Sequence, residues 1–439
     1  MKKYLLTPLA AALTLTLTAC GGDSSGKDTP EKGPGSGSGG VTTPAPLQKI
    51  SLEAYTYSCQ TDTPYATDIV FHDKDGKPVG TAKTNAEGVF SGEVPKDTKH
   101  VSVLGDEVDA ADGTYKKIHT RLDTENRTNL GKFTFYRDQS DCGCDTYTLD
   151  TSELSFLQSG YSLYNGYTTT VSDSIQVCSQ EETYFSVVAG DKSEAKATII
   201  KVPTDSNVIK LTDEDFSHQG VEVTHQISSN ANFITTVGYF EKTHSYRFWQ
   251  YTFANDLSPL YVFPSLTDHS FYRQSFGDSN NVGDVNVRIN THARSRVNSD
   301  GSYVLNELPT PPTSLSEDLI AFATASDLSY DFSSADSRLT SVYIDFSFLV
   351  DDAAETRFDM SIQGYIQGQV PDLSFGDVFP EPVGNATLEQ LDIFLYGYAG
   401  NPTDKKSVDG LIEEIAQGKH LTKEKFSNYL YINLSASLN

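Results

Sequence analysis

The only tryptophan of this chain sits in the run Tyr246-Arg247-Phe248-Trp249-Gln250-Tyr251-Thr252-Phe253, which is dense in large rings. Side chains alternate between faces along an extended strand, so Arg247, Trp249, Tyr251 and Phe253 share one side. If that side looks outward, Trp249 and Tyr251 form a flat platform for sugar rings or a partner protein; otherwise a core and a neighbouring module cover both faces. A second chemistry is offered by acids. Asp106, Asp109 and Asp112 run at three-residue spacing into Gly113, and Asp73 and Asp75 sit in a tight turn. Calcium takes about six to eight hard oxygens, which acidic loops between strands can supply, so it is the metal expected at such clusters. The competing use of these aspartates is to bond their own backbone in turns. The nine histidines are scattered, with His218 and His225 the nearest pair. No HExxH or Walker loop occurs, and no catalytic residue is assigned.

The elements that must position these groups read as β-structure. The chain has 24 Tyr and 23 Phe but only two Met, with many Thr, Val and Ser between short turn clusters. Val342, Ile344, Phe346, Phe348 and Val350 alternate with polar neighbours, and after a turn at 351–355 so do Phe358, Met360 and Ile362. Together they predict an antiparallel hairpin with one face buried. The last strand is as plain, with Leu430, Ile432, Leu434, Ala436 and Leu438 inward. One helix is expected over 404–417, where Val408, Leu411, Ile412 and Ile415 recur at helical spacing before Gly418. The fold class is therefore all-β: tandem antiparallel β-sandwich modules with one short helix in the C-terminal region, after a disordered tether.

At the amino end, Lys2 and Lys3 precede an apolar run that stops at Leu17-Thr18-Ala19-Cys20. This resembles the lipobox of bacterial lipoproteins and is too short and threonine-rich for a transmembrane span. The resemblance implies cleavage before Cys20, lipidation of its thiol and stable anchoring, since two acyl chains suffice at about 0.8 kcal/mol per buried methylene. Asp23 stands three positions after the cysteine rather than next to it. By the same resemblance the outer membrane is expected, with neither leaflet indicated. Residues 21–46 contain almost nothing that could be buried and read as a flexible tether reaching about 28 Å.

From 68 to 103 the chain spells Asp73-Lys74-Asp75-Gly76-Lys77-Pro78, then Asn85-Ala86-Glu87-Gly88-Val89-Phe90 and Val94-Pro95, then Val101-Ser102-Val103. At these residues it is similar to the carboxypeptidase regulatory-like, or transthyretin-like, β-sandwich family. That implies a spacing or stabilising module and no chemistry of its own. Asn298-Ser299-Asp300-Gly301-Ser302-Tyr303 echoes the second motif and would mark a second related sandwich.

Four cysteines remain for an oxidising compartment: Cys59, Cys142, Cys144 and Cys178. With only Gly143 between Cys142 and Cys144, one of the two is expected to bond Cys59 and the other Cys178. A four-thiolate zinc site is the rival. Loss of Lys2 and Lys3 with the leader takes the formal charge from −26 to −28. So acidic a surface repels polyanions and excludes nucleic acid as a partner. The modules are placed at 1–19 (signal), 20–47 (lipidated Cys20 and tether), 48–137, 138–220 and 221–439. The function expected is an anchored envelope lipoprotein that binds, adheres or scaffolds without catalysis, with the membrane and a glycan or protein as partners. The alternative is an anchored hydrolase of an extracellular glycan.

Overall fold

A computed structural model describes residues 47–439 apart from 60, 110–112, 139–141, 167, 170–172, 179–181, 243–244, 283–284, 326, 351–356, 380–385, 401–403, 419–422 and 439. The lipobox, the tether and Asp112 thus lie outside the described residues. The fold is all-β, with 28 strands and three short α-helices among the described residues.

Twelve strands form one sheet. Their order is Ser245–Phe253, Phe233–Phe240, His269–Val282, Val285–Val297, Tyr429–Leu438, Ala386–Tyr398, Leu339–Val350, Arg357–Tyr365, Gly113–Arg121, His100–Asp109, Asp68–His72, Pro78–Lys83. Every neighbour is antiparallel except one: Arg357–Tyr365 runs parallel to Gly113–Arg121, with Met360 opposite Ile118 and Ile362 opposite Thr120. Through that junction strands from the two ends of the chain share a hydrogen-bonded sheet. The segments that read as successive modules are therefore not beads on a string.

One face of this sheet carries the largest core. Val342, Ile344, Phe346 and Phe348 meet Leu391, Ile393 and Leu395 on one neighbour and, further along, Leu430, Ile432 and Leu434, while Val70, Leu104 and Ile118 extend the same layer into the N-terminal segment. The hairpin of 342–350 and 358–362 forms with Ile344 opposite Ile362. Helix Leu315–Thr324 covers the layer through Leu315, Leu319 and Phe322. That helix was not expected, although its apolar residues recur at helical spacing.

The N-terminal sandwich closes with a second sheet, in which Lys49–Ser58 pairs antiparallel with Thr61–Pro64 and Val89–Glu93 and parallel with Asn129–Tyr136. Ile50, Leu52, Ile69, Phe71, Val101, Val103, Phe133 and Phe135 fill it. Strand Asp68–His72 is buried on both faces, Ile69 and Phe71 toward this core and Val70 toward the larger one, hence its unbroken apolar run. The turn at Asn85 recurs at Asn298: in each, the asparagine N–H bonds a carbonyl four residues on, and a glycine at positive φ, Gly88 or Gly301, closes the turn. Only the turn repeats. After Gly301 the chain makes a single bridge from Tyr303 to Val297 and forms no second sandwich of the first kind.

The middle segment has its own small core of Tyr147, Leu149, Leu163, Phe185, Ile209 and Leu211 between a three-stranded and a five-stranded sheet. Cys142 bonds Cys59, their Cα atoms 5.1 Å apart across a separation of 83 residues. Cys144 is also oxidised, and the antiparallel register sets it opposite Cys178. The Cys142-Gly143-Cys144 element thus ties the N-terminal sandwich through its first thiol, while the second stands in the strand paired with Ser174–Cys178. With Cys59, Cys142 and Cys144 all oxidised, no four-thiolate zinc site remains.

Helix Lys405–Ala416 begins where Asp404 accepts the backbone N–H of Ser407. It lies against the N-terminal sandwich, where Asp409 meets Arg127 Nε at 3.4 Å and accepts the Tyr365 hydroxyl, while Glu413 accepts the Thr128 hydroxyl. The Arg127 and Asp409 side chains are only 1% and 6% exposed. Removing one member of such a pair strands a buried charge, so Asp409→Ala should lose about 3–5 kcal/mol of stability in urea unfolding. Pairing Arg127→Met with Asp409→Leu should recover most of that loss. A single substitution as mild as an exposed surface change would show the pair to be inert.

Candidate functional site

The acidic clusters do not converge. Asp106 lies in strand His100–Asp109 and pairs with Lys116 at 2.6 Å; Asp109, opposite Gly113 in the register, is three residues along the strand and so on the other face. The expected calcium loop of Asp106, Asp109 and Asp112 is thus corrected for the two described members: a strand, not a loop, carries them. No group of three or more His, Cys, Asp or Glu is arranged to hold a metal among the described residues. Asp73 builds a turn, its Oδ1 accepting the N–H groups of Lys77 and Asp75 at 2.9 Å each. Those bonds, the one from Lys77 first, hold its carboxyl below the usual range.

Three more carboxylates lie on or beside the sheet face opposite the large core. Asp345 meets Lys117 at 3.3 Å and accepts the Ser361 hydroxyl. Asp359 pairs with Arg357 at 2.8 Å, and Glu107 accepts the Tyr115 hydroxyl and the Tyr136 N–H. Each is tied to its own partner. Nearby His119 is pushed well below its ordinary value by burial and by Lys117 and Arg121, so it stays neutral.

The ring-rich strand Ser245–Phe253 is the outermost of the twelve and carries a β-bulge. Thr236 stands opposite Gln250 and Val237 opposite Phe248, so Trp249 is an extra residue on its strand. The bulge resets the alternation. Trp249 turns inward, packing edge-on against Phe263 at 4.9 Å and against Tyr184 of the middle segment at 6.4 Å, and Gln250 on the same side accepts the Tyr261 N–H at 2.7 Å. Trp249 is 1% exposed, which removes it from the surface platform expected for it. Gly238 on the neighbouring strand makes the room, because a Cβ there would sit 2.6 Å from the indole nitrogen.

Beyond the bulge Tyr251 faces the other way. It stands in a row with Thr235, Arg273 and Arg294 across four strands, while Phe253, Phe233, Ser275 and His292 make the next row. Tyr251 and Phe253 are 52% and 54% exposed, Phe233 and Tyr246 both 39%, and the rings of Phe233 and Phe253 lie 5.2 Å apart. Tyr164 of strand Ser162–Asn165 approaches these strands, and the space between is an open cleft of about 640 Å³ lined by Tyr164, Phe233, Phe248, Tyr251 and Arg273. Of the two expected ligand-binding residues, the cleft holds one.

Arg273 is fixed from behind. Its Nη2 approaches His292 Nδ1 at 2.6 Å and Nε donates to the same nitrogen at 3.2 Å, while the His292 ring stacks on Tyr431 at 4.4 Å. Burial and then the guanidinium push the His292 pKa down to about 3, so the imidazole stays a neutral acceptor. The guanidinium also lies 5.8 Å from the Phe248 ring centre. Arginine at 273 carried no sequence signal, since its partners come from strands up to 158 residues away. Comparison of the chain with protein-family models, with curated proteins and with solved structures gives no match.

Proposed function

We propose that this chain is an outer-membrane lipoprotein, anchored through Cys20, that binds an extracellular glycan in the ring-lined cleft without catalysing its breakdown. The observation that carries this reading is the set of exposed rings Phe233, Tyr251 and Phe253 at an open cleft. Large rings left in water on one sheet end are unusual for a folded body and suit the flat apolar face of a sugar. Hydroxyl and amide groups of Thr169, Thr235, Gln250, Thr252, Ser258 and Ser275 line the same cleft and could donate to and accept from sugar hydroxyls. The lipobox and tether place this body about 28 Å from a lipid surface, and the N-terminal sandwich acts as a spacer of the carboxypeptidase regulatory-like kind.

The test is a glycan-array screen of the full-length lipidated protein in detergent, with Tyr251→Ala and Trp249→Ala alongside. Tyr251→Ala should keep the wild-type melting temperature and weaken binding about tenfold. Trp249→Ala should instead lose about 3–5 kcal/mol of stability, as expected for a buried ring. Undiminished binding by a folded Tyr251→Ala protein would reject the cleft as the site. Recovery of the native protein in the inner-membrane fraction would reject the location.

A further inference from the structure

The cleft departs in charge from the rest of the molecule. The chain has 59 acidic against 33 basic residues, yet none of the fifteen described residues lining the cleft is acidic, and two, Lys192 and Arg273, are basic. Lys192 is partly answered by Asp256 at 3.8 Å. Arg273 has no carboxylate partner among the described residues, and neither have Arg294 and Arg296, its neighbours on the next strand. A cation is costly to hold half-buried without a counter-charge unless something supplies one. In a body of this net charge the simplest supplier is a ligand.

The orientation of Arg273 fits that use. His292 Nδ1 and the Tyr431 hydroxyl take Nε and Nη2, leaving Nη1 without a partner among the described residues. The guanidinium is thus braced on one edge and open on the other. It stands two strands from Tyr251 in the same row, about 10 Å away at ordinary strand spacing. We infer that the cleft is selective for an acidic saccharide, a uronate-containing chain whose carboxylate pairs with Arg273 while a neighbouring sugar ring stacks on Tyr251. This rests on the glycan reading above and adds the charge of the ligand to it. A guanidinium suits this role because it stays charged while Nε and Nη2 brace it, leaving the Nη1 N–H donors for a carboxylate. The surrounding acidic field would repel such a ligand elsewhere on the body, which confines it to this one place.

The test uses full-length protein in detergent and three probes: an oligogalacturonate, its methyl ester and a neutral glucan of equal length, titrated calorimetrically. The acid should bind at least tenfold more tightly than its ester, and the difference should shrink as salt is raised. Arg273→Gln should abolish the preference while leaving binding of the ester unchanged, and Arg273→Lys should restore part of it. Melting temperatures near wild type for both variants would show that the fold is intact. Equal binding of acid and ester, or a preference that survives Arg273→Gln, overturns the inference while leaving the glycan reading in place. Failure of all three probes, with an array blank for both acidic and neutral sugars, overturns both.

Discussion

Ending the chain at Asn428 is expected to abolish the folded protein, not merely to fray its end. Strand Tyr429–Leu438 lies inside the twelve-stranded sheet, with nine register pairs to Val285–Val297 on one side and nine to Ala386–Tyr398 on the other. Leu430, Ile432 and Leu434 are each 0% exposed. At about 1.5–3 kcal/mol per fully buried aliphatic side chain, these three alone approach the net stability of a typical domain. Their loss would also split the sheet and leave two open edges prone to association. Circular dichroism and sedimentation of the shortened protein measure this directly. A monomeric product with a cooperative melt near the wild-type temperature would contradict it.

Loss of the Cys59–Cys142 bond should be the next largest effect. Its loop of 83 residues corresponds to about 4–5 kcal/mol if the bond acts by restricting the unfolded chain. The paired change Cys59→Ala and Cys142→Ala should therefore lower the guanidinium midpoint substantially and steepen the transition, because the unlinked denatured chain is less compact and exposes more surface. A shift equivalent to less than about 1 kcal/mol would mean that the sandwich and the middle segment hold together without it. Because the large sheet runs through both ends of the chain, near- and far-ultraviolet signals should change in one transition in the parent protein.

What the sequence discloses here is local. Alternation at 342–350, at 358–362 and in the last strand names both the strands and their buried faces, because each packs one face on a single core. The helix at 405–416 follows from its 3.6-residue period, with Asp404 capping it. Pairing partners are another matter. Nothing in Gly113–Arg121 or Arg357–Tyr365 announces that they will lie side by side, since a strand's period fixes its faces and not its neighbour. The same limit hid the split of the cysteine pair, where either thiol of Cys142-Gly143-Cys144 could reach Cys59. Trp249 shows a sharper failure: one inserted residue reverses the alternation, so a parity count over 246–253 sends the indole to the wrong side. Leu315, Leu319, Phe322 and Ala323 did carry a legible helical stripe, overlooked in a chain dominated by strands.

The way the first described strand is held has a mechanical side. Lys49–Ser58 lies parallel to Asn129–Tyr136 over most of its length, and it is the strand by which a body tethered at its amino end would be pulled. Tension applied along its axis would load those bonds together, in shear, instead of peeling them one after another. At its far end the covalent link at Cys59 would pass the remaining force to Cys142 and leave Thr61–Pro64 and the strands after it unstrained. A body pulled from its amino end by a bound polymer would meet its greatest resistance at the very strand nearest its point of attachment.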